Sequence, residues 1–493
     1  MKFAISLTFL LALVFESPAQ QVRRAPDFSK AKSMINEYIE KQMVPSVSVA
    51  VVYHGKIVWE ESFGYADLEN KRRATIHTPY YLASVSKTIT ATAIMKLAEK
   101  KLIALDSPVN KYLSGGMVRS PMWDVKGATV RRVMSHTAGL TTFNSWCRED
   151  SATCAMNDSR YISRYAVLVS PPGDHFDYSN LGYGILDRVI SNTTRTSFPE
   201  YLSREIFAPL GMKDSYLATD LRRADRAIRY NSSDKSRFEF GFSHPYSAGA
   251  SLVYGSVHDL AQFALLHLND DHLQNKILSK QSINAMQDTI AKAGSEHYGL
   301  GWWIRNDFYG YKSVLAQGGT SFSSASIRLL PAEQIAIIIL INSGGAKISP
   351  LTNEILTALL PEFQGKLANS SSAPQNVPAE LQIVPPATKW KGSITTYKGD
   401  VPVIFSFNGP AHSHADVGDF LHGDLKHVEV QPNWYSFSIE GDLGLEDTGR
   451  GPYNLTFYLN QKGDLLYGSV ETSASVHGDT PQLAYWVMLR KVE

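Results

Sequence analysis

Two rhythms of polar and apolar residues divide this chain. From Phe28 to Met43 apolar residues recur at helical spacing, which predicts an amphipathic helix. The next segment, SVSVAVVYHGKIVWEESFGYAD, reads as two strands joined at His54-Gly55, a hairpin turn. A second helix is predicted from about Val85 to about Lys101, where Ile89, Ala93, Ile94, Leu97 and Ala98 share one face. The stretch from about 105 to 290 reads as mostly helical and loop-rich, with a helix from Gly182 to about Thr194. Strand rhythm then returns. SVLAQGG, SSASIRLL and IAIIILIN predict three consecutive antiparallel strands, with Pro331-Ala332-Glu333-Gln334 as one turn. A helix from about Pro350 to Leu360 closes the segment. Strands from both ends with helices between them predict one mixed α/β domain whose sheet is completed by both termini.

The pattern changes after about residue 365. KLANSSSAPQNVPAE, spanning 366–380, is rich in Ser, Pro and Asn and reads as a linker. From 381 to 493 short strands alternate with turns: TKWKGSITTY, VPVIFSF, HVEVQP, WYSFSIEG, YNLTFYL, DLLYGSVETS and QLAYWVMLRKV. Strands without helices predict an all-β closed antiparallel barrel or sandwich.

The chain has 493 residues, 44% apolar and 19% charged, enough for two or three domains with real cores. A net charge of +1 without basic runs argues against nucleic acid as a partner. Residues 1–19 read as a secretory signal. Lys2 is the basic start, Phe3 to Phe15 the apolar core, and Ser17-Pro18-Ala19 the small-residue cleavage site. The expected location is therefore secreted or periplasmic. The longest later apolar run, Ile335 to Ile341, is strand-length, so no integral membrane segment is expected after signal removal. The two cysteines, Cys147 and Cys154, share one polar loop and could pair in an exported chain. Five N-x-S/T sequons, at Asn157, Asn192, Asn231, Asn369 and Asn454, matter only in a glycosylating host.

The chemistry centres on Ser84-Val85-Ser86-Lys87. Ser84 sits where an N-cap or first-turn residue belongs, and Lys87 projects from the same face one turn on. A serine hydroxyl needs a base, and a partly buried lysine with a lowered pKa can serve. The helix N-terminus favours a developing oxyanion nearby. Alone, this four-residue spacing is weak, and a capping serine with a solvated lysine is the better reading of it. Tyr178-Ser179-Asn180 adds a tyrosine that a nearby cation would ionise more readily and an asparagine able to donate to a carbonyl.

These two motifs occur in order with Ser135-His136-Thr137-Ala138-Gly139-Leu140, Pro171-Pro172-Gly173 and Pro209-Leu210-Gly211-Met212. Together they resemble the serine β-lactamase-related family of class C β-lactamases, low-molecular-mass penicillin-binding proteins, D-aminopeptidases and related esterases. Ser247-Ala248-Gly249-Ala250 and Tyr298 to Trp303 resemble its later segments. The resemblance covers about 28–365 and implies a β-lactamase/transpeptidase-like α/β domain, an antiparallel sheet flanked by helices with a helical subdomain. It implies Ser84 as acylated nucleophile, Lys87 as base, Tyr178 as proton relay and Asn180 as ligand of a substrate amide. The family's third motif, [KH]-[TSG]-G, is matched by Ala316-Gln317-Gly318 followed by Gly319. Neither Ala316 nor Gln317 supplies the basic residue, and Phe322 stands where a glycine usually follows. The resemblance makes Gln317, Gly318 and Gly319 the substrate-side strand, with Gly319 as second oxyanion donor. The 381–493 segment, with Trp390-Lys391-Gly392, is similar to the lipocalin-like barrel appended to some members.

The expectation is an exported serine hydrolase acting on the amide or ester of a small-molecule or peptide substrate, with no metal or organic cofactor. A non-catalytic penicillin-binding-like sensor, or an acyltransferase using the same serine, remains open, and oligomeric state is not legible. His412-Ser413-His414-Ala415-Asp416 has the spacing of a metallo-hydrolase motif, but Val417 follows and no second cluster accompanies it, so a solvated strand or loop is expected. A G-x-S-x-G elbow is absent.

Overall fold

A computed structural model describes residues 25–141, 147–148, 160–217, 225–238, 242–243, 248–269, 277–346, 348–370, 387–409, 412–445, 453–473 and 482–492. The signal segment, Cys154 and most of the linker lie outside the described residues, as does the side chain of Cys147.

The first domain is a sheet between two helical layers. The strands are β1 (Ser46–Tyr53), β2 (Lys56–Asp67), β3 (Arg72–Arg73), β4 (Ala291–Ala293), β5 (Glu296–Tyr298), β6 (Trp303–Phe308), β7 (Tyr311–Thr320), β8 (Ser323–Leu330) and β9 (Ile335–Ile341). Their order is β3-β2-β1-β9-β8-β7-β6-β5-β4, and every pair is antiparallel. The hairpin turns at His54 (φ 49°) and Gly55 (φ 73°), the left-handed pair a tight two-residue turn requires. β1 and β9 lie at the centre, where both faces are covered, so their side chains are apolar almost without interruption. Val47 pairs with Ile341, and Ser46 Oγ donates to Asn342 Oδ1 at 2.7 Å across 296 positions of sequence.

Alternate residues of these strands face opposite layers. Val47, Val49, Val51, Ile337 and Ile339 pack with α1 (Ser29–Glu40) and the helix at Ile348–Leu359. Ala50, Val52, Ala336, Ile338 and Leu340 face the larger core, which holds α2 (Ser86–Glu99), α3 (Asn180–Thr194) and α4 (Val257–His267). The apolar face of α2 is buried as expected, and its other positions are buried too: every residue from Ser86 to Leu97 is buried. Its polar face survives burial because Thr88 and Thr92 donate to carbonyls three and four residues back, while Thr90 donates to Gly249 O at 2.7 Å.

The linker expectation is also corrected at its start, since the helix at Phe363–Ser370 runs into it. The C-terminal domain is a nine-stranded, nearly closed antiparallel barrel. Its strands are β10 (Thr388–Thr396), β11 (Gly399–Phe407), β12 (His414–Val417), β13 (Leu421–Asp424), β14 (Lys426–Gln431), β15 (Trp434–Gly441), β16 (Tyr453–Lys462), β17 (Leu465–Ser473) and β18 (Gln482–Lys491). The sheet runs β13-β12-β11-β10-β18-β17-β16-β15-β14, so its two edges are consecutive in the chain. Phe405, Phe407, Phe437 and Phe457 fill the interior, with the Phe405–Phe437 ring centroids 4.8 Å apart. The outer face docks on the first domain, where Trp123 meets Tyr467 at 5.7 Å and Trp486 at 5.6 Å, while Tyr485, in the inward row beside Trp486, meets Tyr165 at 6.0 Å. β12 carries the His414-Ala415-Asp416 run, and Asp416 accepts from His422 at 2.7 Å.

Candidate active site

Ser84 lies in a 3₁₀ turn, Ala83–Val85, that feeds directly into α2. Ala83 holds φ 46°, a left-handed conformation rare for a residue with a Cβ. That kink aims the turn at the strand β7. Lys87 follows in the first turn of α2 and is 1% exposed. Its Nζ donates to Ser84 Oγ at 3.0 Å, to Asn180 Oδ1 at 2.6 Å and to the Ala250 carbonyl at 3.1 Å. No carboxylate is among these partners. Burial therefore pushes the Lys87 amine well below its ordinary range. Lys96 on the same helix is the contrast, since it lies 3.2 Å from the Glu205 carboxylate.

The neutral form of Lys87 has two N–H groups and one lone pair. Asn180 Oδ1 and Ala250 O can only accept, so they take the two N–H groups. The lone pair is then left facing the one neighbour that can donate, the Ser84 hydroxyl. This arrangement can draw a proton from Ser84.

Tyr178 precedes α3, whose N-cap is Ser179, and its ring lies 4.8 Å from Lys87 Nζ. The expectation that a cation eases its ionisation is corrected. Burial pushes the Tyr178 hydroxyl up to about 12, and its hydrogen bond with Ser84 only partly opposes this. Tyr178 is thus a proton donor across the physiological range. Asn180, the first residue of α3, reaches the same point as Ser84 through Lys87 Nζ.

On the opposite wall, Gly318 of β7 presses on the Ser84 turn. A Cβ there would sit 2.2 Å from Leu82 O and 2.7 Å from Ser84 N, so only glycine fits. β6 pairs with β7 no further than Leu315, whereas β8 follows β7 to Thr320. Among the described residues the backbone from Ala316 to Thr320 therefore has a strand on one side only, leaving its other edge for a ligand. Ala316 is buried on the same side as Gly318, while Gln317 and Gly319 are exposed. Ser84, Lys87, Tyr178 and Asn180 are brought together, with Gly318 and Gly319 alongside. Gln317 points away from the Gly318 contact.

Two participants had no role assigned from sequence. The Ala250 carbonyl holds Lys87, and a backbone oxygen leaves no sequence signal beyond the Ser247–Ala250 segment already singled out. His136, inside Ser135–Leu140, is buried with its ring 4.4 Å from Tyr178 and 4.8 Å from Tyr298. Its Nδ1 accepts from Ser179 N at 3.0 Å, fixing the start of α3. Burial, assisted by the Lys87 charge, holds this imidazole well below its ordinary pKa, so it stays neutral. Trp303 stacks on Tyr178 at 6.1 Å and meets Tyr298 edge-on at 5.0 Å, completing an aromatic wall. No group of three or more His, Cys, Asp or Glu side chains suited to a metal occurs among the described residues, the His414–Asp416 cluster included.

A family model described as Beta-lactamase matches residues 31–358, well over half of the chain. The chain belongs to the beta-lactamase family. Members of this family are usually serine hydrolases. Among curated relatives, Protein flp of Staphylococcus aureus (strain COL) is 26% identical over 336 residues, covering 66% of this chain and 66% of the relative. The chain thus spans just under two thirds of that relative's length. The unguisins hydrolase ungD' of Aspergillus campestris is 25% identical over 323 residues, 62% of this chain and 60% of the relative. The fold resembles the octameric penicillin-binding protein homologue from Pyrococcus abyssi, with a TM-score of 0.57 at 22% identity, covering 94% of this chain and 100% of that one. A class C beta-lactamase matches with a TM-score of 0.56 at 20% identity, over 67% of this chain and 95% of that chain. The family fold thus occupies the first domain, and the Pyrococcus likeness extends into the barrel. No helix among the described residues is long and apolar enough to cross a membrane.

Proposed function

We propose that this protein is an exported serine hydrolase that cleaves an amide or ester bond through an acyl-enzyme on Ser84. The observation that carries the reading is the set of partners around Lys87, which leaves its lone pair to the Ser84 hydroxyl. As Ser84 Oγ bonds to the substrate carbonyl carbon, its proton passes to Lys87 Nζ. The oxyanion is held by the backbone N–H groups of Ser84 and Gly319. The proton then moves through the Tyr178 hydroxyl to the leaving nitrogen or oxygen as that atom's bond to carbon breaks. In the second half, water attacks the acyl carbon, gives a proton to the same relay, and Ser84 is reprotonated as it leaves. Asn180 Nδ2 donates to the substrate amide. Export rests on the segment from Lys2 to Ala19. The word hydrolase in the name of the Aspergillus relative agrees with water as the acceptor.

Ala316 shapes the substrate. It supplies no cation from β7 at the position where the family's third motif has one, so uncharged esters and amides are turned over better than carboxylate-bearing β-lactams or acyl-D-Ala-D-Ala. The rate requires neutral Lys87. Activity is present above the lowered Lys87 pKa and is lost as pH falls through it, with no loss from Tyr178 until its value of about 12 is approached. Intact-mass analysis with a fluorophosphonate and a β-lactam panel tests the reading. One adduct on Ser84, absent in Ser84→Ala, is expected. Labelling that survives Ser84→Ala, or a wild type inert to every probe and ester, would leave a non-catalytic binding protein instead.

A further inference from the structure

Two helices each give one residue to the Lys87 site and a second residue further along the same face. On α2 these are Lys87 and Thr90, and on α3 they are Asn180 and Asp187. The first of each pair meet at the base, where Asn180 Oδ1 accepts from Lys87 Nζ at 2.6 Å. The second of each pair meet on Gly249, in the short helix at Ala248–Ser251. Asp187 Oδ2 accepts from Gly249 N at 3.0 Å, and Thr90 Oγ1 donates to Gly249 O at 2.7 Å. A Cβ on Gly249 would lie 2.5 Å from Tyr183 O and 3.1 Å from Asp187 Cβ, so this backbone packs directly on α3. The next residue is Ala250, whose carbonyl accepts from Lys87 Nζ at 3.1 Å.

Asp187 is 4% exposed. A buried carboxyl is a costly means of holding one N–H, and this N–H belongs to the residue before the acceptor of Lys87. The charged and titratable groups facing Asp187 are Arg188, whose Nε lies 3.4 Å from Oδ1, and Tyr161, whose hydroxyl feels the carboxylate. Those facing Lys87 are Tyr178, Tyr183 and His136. Burial raises the Asp187 carboxyl to about 7, with Arg188 and the Gly249 N–H opposing the shift. A neutral carboxylic acid still accepts at its carbonyl oxygen, so the bond to Gly249 spans that titration.

We propose that Asp187 is a positioning residue for the Lys87 base: together with Thr90 it pins Gly249 and so fixes the Ala250 carbonyl on Lys87 Nζ. The proposal rests on the reading of Lys87 as the group that draws the Ser84 proton. With the carbonyl fixed, one N–H of neutral Lys87 is held and the lone pair stays on Ser84. With it loose, the amine can turn away. The ammonium form also loses an acceptor, which lowers the Lys87 pKa.

Two measurements test this in Asp187→Ala. The first is the rate of fluorophosphonate labelling at Ser84, which should fall by about tenfold or more. The second is the Lys87 pKa, read by NMR of ¹³Cε-lysine protein carrying Ser84→Ala, with the Lys87 signal assigned by its loss in Lys87→Arg. It should drop by about one pKa unit. Asp187→Asn keeps an acceptor for Gly249 N and should restore most of the labelling rate. Melting temperature checks that each variant is folded. Should Asp187→Ala not fold, the isosteric Thr90→Val removes the other half of the clamp and carries the same expectations, with Thr90→Ser as its restoring partner. A folded alanine variant that labels at the parent rate, slower labelling with the Lys87 pKa unmoved, or Asp187→Asn as slow as Asp187→Ala would each overturn the proposal. Failure of the acyl-enzyme reading is distinct: the parent protein would carry no Ser84 adduct, and the NMR titration would still decide whether Asp187 sets Lys87.

Discussion

The two domains fill their interiors in opposite ways. Around α2 the first domain buries Lys87, Thr88, Thr90, Thr92, Asp187 and His267, tied together by hydrogen bonds such as Thr92 to His267 at 3.1 Å and Gly249 N to Asp187 at 3.0 Å. The barrel buries rings. Among the described residues its buried polar side chains, Tyr and Trp apart, are four hydroxyls, Ser413, Ser438, Ser469 and Thr472. A polar interior is expensive and is retained where each group has a partner or a task. In the first domain one buried cationic residue, Lys87, finds only neutral oxygens. Among the described residues the barrel has no buried carboxylate, amine or imidazole.

The largest expected effect strikes at Lys87. Lys87→Ala should slow acylation of Ser84 by about 10²–10⁴-fold in a folded protein, measured as the rate of phosphonate adduct formation. An unchanged rate would mean that the polar interior is only structural. The barrel side is probed by Phe437→Ala, which should cost about 3–5 kcal/mol in denaturant unfolding of the barrel. Ser84 labelling of the folded protein should be unchanged; a large drop would show that the dry core does tune the site. Gly318→Ala pushes a methyl into Leu82 O and Ser84 N, and should slow labelling by about 10²-fold through misplacement of the nucleophile. Normal labelling in that variant would place β7 further from Ser84 than described. The smallest effect is a gain: Ala316→His should improve kcat/KM about tenfold for a carboxylate-bearing substrate relative to its amidated twin. If the wild type already prefers the carboxylate by that margin, another cation serves the pocket.

Much of this was legible in the sequence. The hairpin at His54-Gly55 and the three strands ending at Asn342 carry strong period-two or apolar signals. The S-x-x-K spacing placed Lys87 on the face of Ser84. What was not legible depended on tertiary context. Thr88, Thr90 and Thr92 lie off the apolar face and yet are buried, each bonding to a carbonyl. The Tyr178 shift went the other way because folding buries its hydroxyl, a cost that the spacing of residues does not reveal. β12 was read only as a solvated strand or loop, and β13 escaped notice, because each is four residues long and polar at alternate positions. The first turn of the linker is helical because Phe363 packs into the α1-side core, a contact that Ser- and Asn-rich composition does not reveal.

The pairing of β1 with β9 carries a consequence for biosynthesis. Ser46 waits for Asn342, 296 positions later, before its side of the sheet is covered. At about 5–20 residues per second, a ribosome needs roughly 15–60 s to supply that partner. Throughout that interval the β1–β2 hairpin presents an apolar strand with one open edge, a template for pairing with another nascent chain. Export before folding, or a chaperone held on residues 46–67, would cover that edge until the last strand arrives.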